Sequence, residues 1–160
     1  MNMNKPLKVY FAGPLFTQAE WKWNELVAGG LRKLGYGVIL PQEGAAAMLR
    51  GERPFNAKVL FDGNVAAIEG ADVVLAVLDQ ADADSGTSWE CGYAYRLGRP
   101  IIGIRTDIRR LADAGGPSVN LMLSESSSEL VEVPFERVGD VPWVVEAILA
   151  ALDRLQAPSR

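Results

Sequence analysis

The chain contains no histidine, and its one cysteine is Cys91. The first absence excludes Ser-His-Asp and Cys-His catalysis, together with imidazole-based zinc sites. The second excludes an internal disulfide; Cys91 falls on an apolar helical face and reads as core rather than as a nucleophile. No apolar run reaches the length of a membrane span, so no membrane partner is expected. Residues Met1 to Lys8 are too short and too polar for a signal peptide, and a cytoplasmic location is the expectation. Positive charge is sparse as well: 16 Lys and Arg stand against 20 Asp and Glu, a net charge of −4. The nearest thing to a basic cluster, Arg105 with Arg109 and Arg110, is interrupted by Asp107 and reads as a solvated face. Nucleic acid is therefore not an expected partner.

Several signatures are missing too. The turn after the first apolar run is Ala12-Gly13-Pro14-Leu15, which lacks the G-x-G-x-x-G of dinucleotide binding, and no G-x-x-x-x-G-K-[ST] occurs. A serine hydrolase would need G-x-S-x-G and a histidine, and a phosphate receiver an acidic pair after its first strand. Neither is present.

What remains is an ordinary globular composition, 49% hydrophobic and 22% charged, in 160 residues that read as one domain spanning 1–160. Strand patterns at 7–11, 37–40, 72–78, 100–104 and 130–134 alternate with helical ones. Trp21, Leu26, Leu31 and Leu34 mark the first helix, and 45–50 a short second. A third runs over 57–69, with Val59, Leu60, Asn64, Ala67 and Ile68 in period; Glu90 to Leu97 and 140–155 follow. Arg105 to Pro117 reads as a loop, and Ala157 to Arg160 as a frayed end. This alternation predicts an α/β fold: a flavodoxin-like, doubly wound, five-stranded parallel sheet of order 2-1-3-4-5, with helices on both faces.

The most informative stretch is the acidic turn Asp79 to Tyr93, joining the carboxyl end of one predicted strand to a helix. In open α/β sheets that edge is where ligands bind. One reading of Glu90 is purely structural: Thr87-x-x-Glu90 fits a capping box. Asp84 and Ser85 could likewise be ordinary turn residues. The other reading comes from what the strand ends bring together: Tyr10 and Gly13 from the first, Gln42 and Glu43 from the second, Asp79 to Glu90 from the third. Carboxylates and a tyrosine without a metal-ligand set suit chemistry on a glycosidic bond, where a carboxylate attacks the anomeric carbon. The positive end of a helix would favour the glutamate anion. Gly13 and Gly86 would let a sugar approach the backbone.

From about Lys8 to Leu123 the chain resembles the nucleoside 2-deoxyribosyltransferases. The resemblance is carried by Val9-Tyr-Phe-Ala-Gly-Pro14, Pro41-Gln42, Asn64-x-x-x-Ile68-x-x-x-Asp72, Asp84-Ser-Gly-Thr-x-x-Glu90-x-Gly92-Tyr-Ala94 and Asn120-Leu-Met122-Leu. It implies ping-pong transfer of 2-deoxyribose between nucleobases, with no cofactor and no metal. By position it implies Glu90 as nucleophile, Tyr10 as the hydroxyl beside it, and Asp84 as the group that binds substrate and assists the departing base. Gln42 matches a base-contacting glutamine. Asn120 and Met122 match a segment that completes a neighbour's pocket, which implies a homo-oligomer built from dimers, up to a hexamer. Asn64 stands where some members carry an aspartate that protonates the base. An amide cannot act as a general acid, so Asp84 or water would supply the proton. Two other functions stay open: an N-glycosidase that hydrolyses nucleosides or nucleotides, and a non-catalytic nucleoside-binding module. The bland readings stay open too, with Tyr10 or Met122 as core, Asn64 as a bridge between helices, Asn120 as a turn residue and Trp89 ambiguous.

Overall fold

The computed structural model describes residues 7–110 and 116–157. Five parallel strands, β1 (Lys8–Ala12), β2 (Gly37–Ile39), β3 (Val73–Val77), β4 (Ile101–Arg105) and β5 (Glu129–Glu132), pair in the order β2-β1-β3-β4-β5. The helices are α1 (Gln18–Lys33), α2 (Pro41–Leu49), α3 (Ala57–Gly70), α4 (Ser85–Arg96), α5 (Leu121–Ser126) and α6 (Val141–Gln156), with a 3-10 turn at Phe135–Arg137. The predicted α/β class and strand order are those observed. Among the described residues no helix is long and apolar enough to cross a membrane.

Strand alternation divides the core in two. Val9, Phe11, Leu75, Ile102 and Ile104 face α1 and α6, where Val27, Leu31, Ile148 and Leu152 pack against them. Tyr10, Ala12, Val74, Ala76 and Ile101 face the other way, onto Ile68 of α3, Cys91 and Ala94 of α4, and Leu123 of α5. Tyr10 is therefore a core residue by its ring and a candidate site residue by its hydroxyl. All five residues of β3 are buried, as expected for the central strand of a sheet covered on both sides.

Helix boundaries and faces depart from the sequence expectations in four places. In α1 the buried stripe is Asn24, Val27, Ala28 and Leu31, a true i, i+3, i+4, i+7 set, while Leu26 and Leu34 are exposed. Helix α2 begins at Pro41, not Ala45; proline is preorganised for a first helical turn, so Pro41 to Gly44 opens this helix rather than closing a strand. In α3 only Ile68 is fully buried, and Val59 and Phe61 stand exposed. Helix α4 starts at Ser85, so Glu90 is in its second turn rather than its first. Of the loop expected over Arg105 to Pro117, residues 111–115 lie outside the described residues, as do 158–160 of the expected frayed end.

Arg105, expected on a solvated face, is only 4% exposed. Its guanidinium donates to the carbonyl oxygens of Leu78, Gln80, Asp107 and Arg109, so backbone dipoles rather than water solvate the charge.

Candidate active site

Tyr10 comes from β1 and is fully buried; Glu90 comes from α4, across the sheet face. The Tyr10 hydroxyl donates to Glu90 Oε1 at 2.5 Å, joining residues eighty positions apart in the chain. Burial pushes the Glu90 carboxyl from 4.5 up to about 7; the Tyr10 hydrogen bond pulls it back, and the Asp84 charge adds to the rise. Expected to be held ionised by the helix's positive end, this carboxyl instead lies beyond the first turn, where that end has little reach. Burial, then its carboxylate neighbour, pushes the Tyr10 hydroxyl far up, so it stays a proton donor. The Cys91 thiol, raised to about 12 mainly by burial, is a packed group and no nucleophile.

Asp84 is the N-cap of α4. Its Oδ2 accepts from the Thr87 amide at 2.9 Å and the Thr87 hydroxyl at 3.2 Å, while Ser88 Oγ donates to the Asp84 carbonyl at 2.9 Å. The capping box expected at Thr87 and Glu90 is thus absent: Asp84 occupies the cap and Thr87 is the capped residue. A Cβ on Gly86 would sit 3.1 Å from Asp84 Oδ2, so glycine leaves room for the capping carboxylate. Gly13 has a similar role at the end of β1, where a Cβ would lie 3.1 Å from Val77 of β3. In both places the close approach is made by the protein's own atoms.

The turn between β3 and α4 is pinned from the opposite side. Asp79 accepts from the Thr106 amide and hydroxyl, both at 2.6 Å, and from the Asp107 amide at 3.0 Å. Gln80 has a left-handed backbone (φ 81°) and is tied by its amide to Asp107 and by its side chain to Glu20, each at 3.1 Å. Asp107 titrates well below the usual carboxylate range, chiefly through its bonds with Arg109. Sequence reasoning missed Gln80 and Arg105; glutamine carries no local signal for a left-handed conformation, and two of the guanidinium's partners, the Leu78 and Gln80 carbonyls, are distant in sequence.

The other expected site residues are dispersed. Gln42 is 1% exposed; its Oε1 accepts from Asn24 at 3.0 Å and its Nε2 donates to the Trp21 carbonyl at 3.1 Å. Those bonds clamp α2 to α1, and the amide has no surface open to a base. Asn64 is half-buried on α3. Asn120 caps α5, accepting from the Met122 amide at 2.9 Å, and Met122 is 72% exposed. Both line a cavity of about 580 Å³ between α4 and α5, with Asp82, Ser85, Ser88 and Tyr95. That cavity follows the flank of α4 carrying residues 85, 88, 92 and 95 and includes neither Glu90 nor Tyr10. Among the described residues no three acidic or cysteine side chains gather as a metal site.

Three comparisons place this geometry among known proteins. Residues 9–122 match the family model for nucleoside 2-deoxyribosyltransferase. No curated protein sequence matches the chain. The 2-deoxyribosyltransferase of Bacillus psychrosaccharolyticus is 26% identical, over 79% of this chain and 86% of that one, with a TM-score of 0.63. The 2-deoxyribosyltransferase of Leishmania mexicana is 24% identical, over 88% and 98%, also at 0.63. A CMP N-glycosidase from Clostridium botulinum, 18% identical over 92% and 98% at 0.57, shares the fold. The matched stretch runs from the strand that carries Tyr10, through the helix that carries Glu90, into α5, and the chain belongs to the nucleoside 2-deoxyribosyltransferase family.

Proposed function

We propose that the protein moves 2-deoxyribose from one nucleobase to another through a covalent ester on Glu90. The observation that carries this reading is the 2.5 Å hydrogen bond from Tyr10 to a half-buried carboxyl at the ligand-binding edge of the sheet. With Oε1 held by the tyrosine, Oε2 is the oxygen left to attack C1′ of a 2′-deoxynucleoside. The glycosidic bond breaks as the ester forms, its electron pair leaves with the base, and a proton reaches that base from water or from Asp84. An incoming base then attacks C1′ from the vacated side, gives up its proton, and frees Glu90; two inversions give net retention. As a sugar cation develops at C1′, it favours the anion of a carboxyl that burial otherwise holds near half-ionisation at neutral pH.

The exposed pair Asn120 and Met122 fits the expectation that α5 completes the site of a neighbouring subunit in a homo-oligomer. Nucleosides and free bases are the partners of this chemistry, and none of its steps calls for a cofactor. With water in place of the second base, the same first step would make an N-glycosidase, the activity named for the Clostridium botulinum fold neighbour. A carboxylate at Asp84 disfavours the phosphate of a nucleotide, which supports nucleosides as substrates.

One incubation with thymidine and adenine, analysed by chromatography, tests the reading. Deoxyadenosine with thymine is the expected outcome. Thymine with free deoxyribose would replace transfer by hydrolysis, and no product with any pair of bases would overturn both.

A further inference from the structure

Arg105 does more than its own burial requires. It ends β4, and its guanidinium reaches out of that strand into the turn after β3. Nη1 donates to the carbonyls of Leu78 and of Gln80, the latter at 2.8 Å, while Nη2 and Nε donate to those of Arg109 and Asp107, at 2.8 and 3.2 Å. The exchange is reciprocal. Asp79, between the two β3 carbonyls, accepts from the amides of Thr106 and Asp107, and the Gln80 amide donates to the Asp107 carboxylate. Residues 78–80 are thus zipped to residues 105–107 from both sides.

Closing the turn does not require this. Carbonyls at the edge of a sheet can be left to water, yet here they are taken by a charge that gives up its own hydration. Gln80 is also held left-handed, at φ 81°, a strained state for a residue with a side chain. Both features fix one thing, the direction in which the chain leaves β3. That direction sets the start of α4, because only Ala81, Asp82 and Ala83 separate Gln80 from the Asp84 cap. Farther along, α4 is braced sideways: Phe61 of α3 leans on Trp89 with ring centroids 5.5 Å apart, and Cys91 and Ala94 pack against the sheet. Those contacts limit tilt more than slide, so the position of α4 along its own axis is left to the turn. Tyr10 and Glu90 belong to different elements and meet at 2.5 Å, so any slide of α4 changes that hydrogen bond directly.

We propose that Arg105 is a positioning residue of the active site: by holding the exit from β3 it sets the register of α4, and so the placement of the Glu90 carboxyl against Tyr10. The inference rests on the reading of Glu90 as the group that attacks C1′, a step that tolerates little misplacement. Arg105 touches no reacting atom and acts through the turn.

The test uses the full chain. Arg105→Lys keeps the charge but loses the planar fork that serves both turns, and Arg105→Ala loses both. Well below their melting temperatures, the two variants should transfer deoxyribose from thymidine to adenine with kcat lowered by ~10- to 100-fold, alanine showing the larger loss. Loss of folded protein could mimic that, so two further readouts decide. With carbon-13-labelled glutamate, the Glu90 carboxyl, assigned by its disappearance in Glu90→Gln, should titrate at higher pH in both variants, because the Tyr10 bond that lowers it is loosened. Arg105 also lines a cavity of about 470 Å³ with Ser118, Val133 and Trp143, which gives a small ion a way in. Guanidinium at roughly 10 mM should therefore restore part of the rate in Arg105→Ala, opposite in sign to its action on a merely weakened fold. An unmoved or lowered Glu90 midpoint in folded Arg105→Lys would overturn the positioning role, and so would a rate in Arg105→Ala that guanidinium only depresses. The titration needs no turnover: a protein that moves no deoxyribose, yet whose Glu90 midpoint rises on loss of Arg105, keeps the positioning role and loses the proposed reaction.

Discussion

The sequence contains the same four-residue pattern twice, and the two copies do opposite things. Thr17-x-x-Glu20 is a complete capping box: Thr17 Oγ1 accepts from the Glu20 amide at 3.2 Å, and Glu20 Oε2 accepts from the Thr17 amide at 2.8 Å. Thr87-x-x-Glu90 looks identical, but Asp84 has taken the cap three residues earlier. That shift moves the second glutamate beyond the first turn, off the helix end and against Tyr10. The electrostatics invert accordingly. Burial acts upward on both carboxyls, yet the backbone amides of Phe16 and Thr17 prevail at Glu20 and hold it below its ordinary range, whereas Glu90 rises to about 7. Three residues of register thus separate a capping acid from one held against Tyr10.

Truncating both acids breaks the comparison most directly. Glu90→Ala should lower the transfer rate by on the order of 10³-fold or more, because it removes the proposed nucleophile. Glu20→Ala should leave that rate within a few-fold while lowering the melting temperature. Steady-state rates and thermal melts on the two variants check this; equal rate losses would erase the distinction.

The next effect is on stability, and its sign is set by the direction of each shift. Glu90 binds its proton more tightly folded than unfolded, so between pH 4.5 and about 7 the native state holds more protons and stability falls as pH rises. The cost is fully present above pH 7 and vanishes below pH 4.5. Removing the charge with Glu90→Gln should therefore stabilise the protein by roughly 3 kcal/mol near pH 8 and by almost nothing near pH 4. Glu20, lowered instead, contributes stability that is present above pH 4.5 and lost as pH falls. Denaturant melts at the two pH values should show the opposite slopes, and a destabilised Glu90→Gln at pH 8 would contradict the burial argument.

Tyr10 sharpens the comparison from the other side. Its hydrogen bond is what lowers Glu90, so Tyr10→Phe should move the acidic limb of the kcat/KM profile, expected near pH 7, to higher pH. A charged hydrogen bond of this kind corresponds to ~10- to 100-fold in rate. Asp84→Asn should move the limb the other way, since the Asp84 charge raises Glu90, while an asparagine still caps α4. A limb displaced in the same direction by both variants would rule out this division of roles.

The two patterns also mark where the sequence was legible. The apolar run at β3 and the alternation of strands and helices were readable because each depends on local periodicity, and they bring Tyr10 and Glu90 to one face of the sheet. The start of α4 was not readable, since Asp84, Ser85 and Thr87 are all good caps within four residues and only the fold chooses among them. The clamp made by Gln42 was unreadable for a related reason: its partners, Asn24 and Trp21, sit on a helix that precedes it by about twenty residues. Arg105 was placed outside because a charge pattern says nothing about which carbonyls will converge on it. The aromatic contact of Phe61 with Trp89 depends on how α3 packs against α4, information that neither helix contains alone.

The smallest expected effect concerns the thresholds themselves. If Thr17 and Thr87 differ only in register, their loss should differ in kind. Thr17→Ala removes the oxygen that accepts from the Glu20 amide and should cost about 1 kcal/mol with unchanged kcat, as loss of a helix cap does. Thr87 donates to Asp84 Oδ2 through both its amide and its hydroxyl, and it is buried. Thr87→Ala keeps the amide bond and loses only the hydroxyl's, so the cap of α4 survives while the Asp84 carboxylate is freed to turn. Stability should fall by a similar ~1 kcal/mol, a typical hydrogen bond, but here the acidic limb set by Glu90 should shift too. Parallel melts and pH profiles on the two variants decide it: a silent pH profile in Thr87→Ala would mean that the α4 cap holds its geometry without the hydroxyl.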